Sequence, residues 1–184
     1  LGDLYKNIIK DNKSAIKYYE KFLEINKTKA SVYNIVADLY SKEYGNEKLE
    51  EQIKYYKKAL ELNPSGRLSM HGLAFCNEKL GDNKQAEYYY KMILENNPTE
   101  TDLFNYGMFL IHCGKLKEGH EYITNRFKLD NINLKYPSDE NKKWDLKSNI
   151  YNKTLLVHYE QGFGDTIMYC RFLPQLKQKV KKLI

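Results

Sequence analysis

Apolar residues recur at helical spacing through the first two thirds of the chain. Three stretches share one register, in which apolar side chains three and four residues apart surround a small residue: Tyr33, Val36, Ala37 and Tyr40; Met70, Leu73 and Ala74; Phe104, Gly107, Met108 and Ile111. This is the stripe of an amphipathic helix. Tyrosine-rich stretches with the same spacing occur at 15–19, 52–56 and 86–90. The pattern therefore predicts pairs of amphipathic helices that pack closely at their small residues.

Turn and stop signals divide these stretches into a repeat. Asn63-Pro64 and Asn97-Pro98 end two of the units, and a turn splits each unit, as at Gly81-Asp82 and Gly114-Lys115. The two Asn-Pro pairs define a period of about 34 residues, which resembles the tetratricopeptide repeat. The resemblance implies a mainly α fold, an α-solenoid of helix-turn-helix units at about 1–27, 28–64, 65–98 and 99–128. Such units bury their apolar faces only against their neighbours.

Two units depart from the pattern. Unit two has three extra residues, which we place around 41–50 and expect to lengthen both helices toward Gly45. Unit four, counted with the same period, puts His120 at the small-residue position and Thr124 where a tyrosine is expected. We expect this drift because terminal units of a repeat array are often atypical.

In the tetratricopeptide family the second, fifth, ninth, twelfth and thirteenth residues of a unit point into a concave groove. The resemblance implies that the groove includes Asn34, Asp38, Lys42, His71, Phe75, Glu78, Asn105, Phe109 and His112. Amides, aromatic rings and a few charges suit a protein or peptide partner bound in extended form. The alternative is that Phe75 and Phe109 only complete the core. His71, His112 and His120 fall in different helices without a carboxylate motif, so no metal site is expected.

The remaining chain has another organisation. Residues 129–153 are polar and predict a linker with one anchor, Trp144. An apolar run from Thr154 then meets a glycine-rich turn, a helical pattern to about residue 178 and a second apolar run, which predicts a short β-α-β fragment of a Rossmann-like domain at 154–184. Gly162 and Gly164 permit a tight turn, and Asp165 or Thr166 would cap the helix, whose free amides could hold an anion. Such a turn is more often structural than functional.

The order of several short sequence motifs along the chain gives a second resemblance. Trp144-Asp145, the run 153–158, the loop 160–166 and Arg171-Phe172 follow one another as in bacterial proteins that join tetratricopeptide repeats to a heptosyltransferase-like glycosyltransferase domain. This implies Asp165 as the candidate general base of a parent enzyme that uses a nucleotide-sugar donor, with Glu160 orienting the acceptor or bracing the loop. The chain opens inside a helical pattern, so we expect it to begin within a longer polypeptide. Because the second nucleotide-binding half is absent, we expect no sugar transfer by these residues and no cofactor on them. A binding module and a glycosyltransferase part therefore both remain as hypotheses.

The charge and the cysteine content of the chain limit its possible partners and its expected compartment. The net charge is +6, but only three of the 30 basic residues are arginines, and the lysines alternate with glutamates as on a solvated helix face. We therefore expect no nucleic acid partner. Three scattered cysteines predict reduced thiols in a cytoplasmic protein. No run is long enough to span a membrane. Self-association through the repeats or the open strand edge is left open.

Overall fold

The computed structural model describes residues 1–123, 144, 147–157, 167 and 169–184. The chain forms two compact units, Leu1–Leu129 and Asp130–Ile184. The predicted boundary between repeats and linker, at 128, lies one residue from this division.

Unit one consists of helix pairs in sequence order. Its helices are α1 (Gly2–Leu4, continued by a π-helical turn at Tyr5–Ile9), α2 (Asn12–Ile25), α3 (Ala30–Tyr44), α4 (Leu49–Leu62), α5 (Arg67–Leu80), α6 (Asn83–Leu94), α7 (Glu100–His112) and α8 (Leu116–Ile123). Each helix packs on its pair partner, and α2, α4 and α6 also pack on the first helix of the next pair. This stacking of neighbouring pairs confirms the predicted solenoid.

Small residues stand where the helices approach most closely. Ala37 and Ala74 are fully buried in the middle of α3 and α5. In the fourth pair a Cβ atom on Gly119 would lie 2.7 Å from the Gly107 carbonyl oxygen. The small residue of α8 is therefore Gly119, and the prediction of His120 at this position is wrong by one residue, since His120 is exposed. The reason is spacing, because α7 begins one residue earlier, relative to α5, than a constant repeat period would place it.

The turns within the pairs use positive φ angles. Gly81 and Gly114 both have φ of 79°, a conformation in which glycine carries no steric penalty. Lys10 takes the corresponding left-handed position after α1, with φ of 58°. The side chains of Asp11 and Asp82 then cap α2 and α6 by accepting from the backbone amides of Ser14 and Gln85, both at 3.1 Å.

The three extra residues of unit two do not lengthen both helices. Helix α3 has 15 residues against 14 in α5, and the link to α4 is a four-residue 3-10 turn, Gly45–Lys48, against the two residues Gly81 and Asp82 in the next pair. Helix α4 begins at the same distance before Pro64 as α6 does before Pro98. One inserted residue therefore extends the first helix and two enter the turn. The Gln52 side chain secures this turn by donating to the Gly45 carbonyl oxygen at 2.7 Å.

The second unit contains a small parallel sheet. Strand β1 (Thr154–Leu155) pairs in parallel with β2 (Lys182–Leu183), and helix α9 (Leu173–Lys177) precedes β2. The amide of Ile184 donates to the Leu155 carbonyl oxygen at 3.0 Å and extends the pairing. This order agrees with the predicted β-α-β fragment. Trp144 makes a local contact, since its indole nitrogen donates to the Ser148 carbonyl oxygen at 3.0 Å.

Candidate binding face

The predicted groove corresponds to one surface of the repeat unit. Helices α3, α5 and α7 begin at Ala30, Arg67 and Glu100, so equal places in these helices are equal places in successive repeats. We call the surface formed by residues 30–44, 67–80 and 100–112 the first-helix face. Its side chains fall into three groups, which link the repeats, complete the core or face solvent.

One hydrogen bond recurs between consecutive repeats. Asn34, the fifth residue of α3, accepts from the hydroxyl of Ser69, the third residue of α5, at 2.8 Å. One repeat later, His71 is the fifth residue of α5 and contacts Asp102, the third of α7, with 2.6 Å between Nε2 and Oδ1. Two predicted groove residues therefore join neighbouring first helices, which fixes the register in which the repeats stack.

Of the residues that form these two links, Asp102 has the most partners. Its side chain is only 3% exposed and meets the guanidinium of Arg67 in addition to His71. The backbone amide and hydroxyl of Thr99 also donate to its Oδ2, at 2.7 and 2.8 Å, and form a capping box. Burial alone would raise the pKa of this carboxyl, but the hydrogen bonds from Thr99 and His71 outweigh it and the pKa lies below its usual range.

Two further acidic residues of the face also have partners within the fold. The Tyr56 hydroxyl donates to Asp38 at 2.5 Å, and burial together with this bond raises the pKa of Tyr56. Glu78 contacts Nδ1 of His112 at 2.8 Å, again across consecutive repeats, and accepts from the Tyr90 hydroxyl at 3.4 Å. The predicted groove residues Asp38, Glu78 and His112 are therefore part of the folded network.

The exposed apolar side chains of the face lie in α5 and α7. Leu68 is 54% exposed, Phe75 43% and Met108 36%, and Phe75 and Met108 are the ninth residues of their helices. Phe109 is 1% exposed and lies in the core, so its predicted place in the groove is wrong. Phe75 is exposed, so the alternative that this side chain only completes the core is wrong.

The error at Phe109 follows from the same one-residue shift as that at His120. Counting one constant period from unit three selects Asn105 and Phe109, whereas α7 places Phe104 and Met108 at the fifth and ninth positions. Asn105 is half-buried. The sequence carried a signal for the correct register, because Thr99 and Asp102 form the S/T-x-x-D/E pattern that marks a helix start.

Basic side chains occupy the thirteenth position of the three first helices. They are Lys42, Lys79 and His112, and all are exposed. Lys79 places its Nζ 5.2 Å from the centre of the Phe75 ring, within reach of a cation–π interaction. In α5 and α7 a basic side chain, Lys79 or His112, therefore lies one helical turn after an exposed apolar one.

The remaining site predictions concern the glycine-rich loop. Glu160, Gly162, Gly164, Asp165 and Thr166 lie outside the described residues. Within the part of the chain that the structure describes, no group of three or more His, Cys, Asp or Glu side chains could hold a metal ion. In the same part, no helix combines the length and apolar character needed to cross a membrane.

Solved structures share the fold of the repeats. Two crystal structures of MamA match with TM-scores of 0.61 at 19% identity, covering 70% of this chain and 73% and 68% of theirs. YrrB, a tetratricopeptide-repeat protein with an unusual peptide-binding site, matches with a TM-score of 0.54 at 23% identity, over 62% of this chain and 58% of its own. At these identities the likeness shows the fold alone.

Family models extend the comparison to the sequence. A model of the tetratricopeptide repeat matches residues 1–29 and 30–65, and a second model of the same repeat matches 69–99, which is more than half of the chain in total. No curated protein matches the sequence. Nothing in these comparisons supports the resemblance to a heptosyltransferase-like glycosyltransferase, and that part stays a prediction. The chain belongs to the tetratricopeptide-repeat proteins.

Proposed function

We propose that the chain is a protein-interaction module that binds an extended protein segment on its first-helix face. The observation that carries this proposal is the exposure of Leu68, Phe75 and Met108 on the two consecutive first helices α5 and α7. Exposed apolar side chains that recur on one face mark interaction surfaces more often than single scattered ones do. The peptide-binding site of YrrB, which has a related fold, adds support.

The polar side chains of the face favour binding over a purely structural role. Asn34, His71 and Asp102 hold neighbouring first helices together, and Leu68, Phe75 and Met108 stay exposed, so these apolar side chains are not needed for stacking. A face that is already fixed loses little conformational freedom when a ligand binds, which favours affinity. The repeats therefore present a rigid surface to a flexible segment.

The size of the apolar contact sets an expected affinity. Fully burying a side chain such as Leu, Phe or Met contributes about 1.5–3 kcal/mol relative to full exposure, and the exposed parts of these three would contribute about 3 kcal/mol together. Association itself costs at least about 4 kcal/mol. Apolar contact alone therefore does not give stable binding, and backbone hydrogen bonds or charge pairs must contribute the rest.

A peptide selection tests the proposal. A phage library of random 12-residue peptides is selected on the full chain, and enriched peptides are titrated by fluorescence anisotropy against the wild type, Phe75→Ala and Met108→Ala. Leu62→Ala is the matched control, because Leu62 of α4 is 43% exposed, as Phe75 is, but lies on a second helix. We expect both face variants to bind about tenfold more weakly and the control to bind normally. If no peptide sequence is enriched, or if the wild type and all three variants bind the peptides with equal affinity, the proposal is refuted.

A further inference from the structure

The link between the third and fourth repeats, residues 95–99, differs from the link before it, residues 63–66. In the earlier link the Asn63 carbonyl oxygen accepts from the Gly66 amide at 2.9 Å, so the link closes its own turn. Asn97 is the equivalent residue after α6, but its φ is 49° whereas that of Asn63 is −138°. The later link therefore follows another path, in a left-handed conformation that asparagine adopts more readily than most residues.

Arg67 of helix α5 supplies hydrogen-bond donors to this later link. Its guanidinium donates to the carbonyl oxygens of Asn96 and Asn97 at 2.7 and 2.8 Å, and it also contacts Asp102 in the first turn of α7. One side chain thus holds both the link and the start of the helix that follows it. Neither α3 nor α7 begins with a basic residue, so this arrangement is specific to the third and fourth repeats.

Backbone packing holds the fourth repeat less firmly than the third. Helix α6 approaches α7 less closely than α4 approaches α5. Further side-chain contacts between the third and fourth repeats each pair a basic with an acidic residue: His71 with Asp102, His112 with Glu78, and Lys115 with Glu87. The hydrogen bond between Ser69 and Asn34, which joins the second and third repeats, is neutral. The position of the fourth repeat therefore depends strongly on charged contacts.

These contacts matter for the first-helix face because its exposed apolar side chains belong to both repeats. Phe75 lies in α5 and Met108 in α7. A segment that covers both side chains binds best when the two helices are already fixed at one separation. Resting on the binding function proposed above, we infer that Arg67 is a positioning residue of this face: it fixes the fourth repeat, and with it Met108, relative to Phe75.

The place of Arg67 in its helix makes the sign of its effect informative. It is the first residue of α5, and a positive charge is unfavourable at the amino end of a helix. Arg67→Gln would therefore stabilise α5 slightly if the side chain had no other role, whereas the inference predicts a less firmly held fourth repeat. Lys29→Gln is the matched control, because Lys29 is an exposed basic residue at the start of α3.

Hydrogen exchange of the full chain, followed by mass spectrometry, tests the positioning without a ligand. In Arg67→Gln we expect the amides of residues 100–112 to exchange about tenfold faster than in the wild type, since charge-assisted hydrogen bonds to the link and to Asp102 are lost. Residues 30–62 should exchange at the wild-type rate, and the Lys29 control should match the wild type in both ranges. Unchanged exchange at 100–112, or an equal increase at 30–62, would overturn the inference.

Peptide binding separates positioning from a general loss of stability. A library-selected peptide is titrated by anisotropy against Arg67→Gln, alone and combined with Met108→Ala or Phe75→Ala. In the Arg67→Gln background, Met108→Ala should weaken binding by less than about twofold, against about tenfold in the wild type, because Met108 no longer has a fixed place. Phe75→Ala should keep its full effect. If both substitutions keep their full effects, Arg67 does not position the face.

The two proposals fail in different ways. If no peptide is enriched in the selection, the binding function is wrong, and the role of Arg67 in it is wrong as well. If Phe75→Ala and Met108→Ala weaken binding but Arg67→Gln leaves exchange at 100–112 unchanged, the binding function stands and only the role of Arg67 is wrong.

Discussion

Replacing Asp102 by alanine is the sharpest test of how the repeats are held together. The carboxylate links α5 to α7 through Arg67 and His71, and it completes the cap of α7 through Thr99. Its removal leaves the Thr99 amide without this acceptor and His71 without this partner, and Arg67 keeps only its bonds to the carbonyl oxygens of Asn96 and Asn97. The loss therefore acts on one helix start and on one repeat interface.

The magnitude follows from these contacts. A hydrogen bond to a charged group contributes about 1.5–3 kcal/mol, but Arg67 and His71 are partly exposed, so water compensates and about 1 kcal/mol each remains. The capping contact with Thr99 adds about 1 kcal/mol. The free energy of unfolding should therefore fall by about 3 kcal/mol, most of it as loss of coupling between the third and fourth repeats.

Urea unfolding of the full chain, followed by circular dichroism at 222 nm, measures this change. Glu100→Ala is the matched control, because Glu100 is an exposed acid in the same turn of α7, and it should lower stability by less than about 0.5 kcal/mol. A double-mutant cycle with His71→Ala should give a coupling energy of about 1 kcal/mol with Asp102→Ala. An Asp102 variant no less stable than the Glu100 variant would refute the reasoning.

The same carboxylate gives a pH dependence of known sign. Its pKa in the folded protein is lowered, so the stability it contributes is present above the pKa of the unfolded chain, about 3.9, and is lost as the pH falls through the folded pKa. Asp102→Asn has no carboxyl to titrate. The thermal midpoint of this variant should therefore fall less than that of the wild type between pH 5 and pH 3.

Three further predictions concern single positions. Gly72→Ala should lower the thermal midpoint, since the new methyl would overlap the Tyr56 ring and cost about 1–3 kcal/mol, whereas a helical glycine without such a neighbour would gain stability on this change. Cys170 is exposed and should react with Ellman's reagent in the native protein, while Cys76, whose pKa burial raises to about 11, should react only on unfolding. Lys10→Gly should raise the free energy of unfolding by up to about 1 kcal/mol, because φ at residue 10 is 58°; a decrease would contradict this.

The periodic features of the fold could be predicted because they repeat. The small residues Ala37 and Ala74, the turn glycine Gly81 and the apolar stripes each occur at equal places in successive units, and one error in one unit does not hide the pattern. Packing of a helix pair on its neighbour then follows from the apolar faces alone. The order of the helices was predicted correctly for this reason.

The register of the fourth repeat could not be obtained by counting. A constant repeat period places Phe109 on the surface, whereas α7 starts one residue earlier and turns this ring into the core. A shift of one residue rotates a helical position by about 100°. The local start signal at Thr99 and Asp102 was the better guide, because a cap fixes a helix in place and a period only estimates it.

The partners of the face residues could not be predicted either. Asp38 and Glu78 stand at positions that suit a ligand, yet tyrosine hydroxyls from the second helices reach both. These contacts join residues 18 and 12 positions apart across a helix pair, and a sequence pattern says nothing about which polar group a long side chain meets.

The central claim is that a protein segment binds where Phe75 and Met108 are exposed. Methyl-labelled methionine gives a direct test in the full chain, because Met108 lies on the first-helix face, Met92 on the second helix α6 and Met70 in the core. On titration with a library-selected peptide, we predict that the Met108 methyl signal shifts and that the Met92 signal stays in place. A shift of Met92 with an unchanged Met108 would contradict the account.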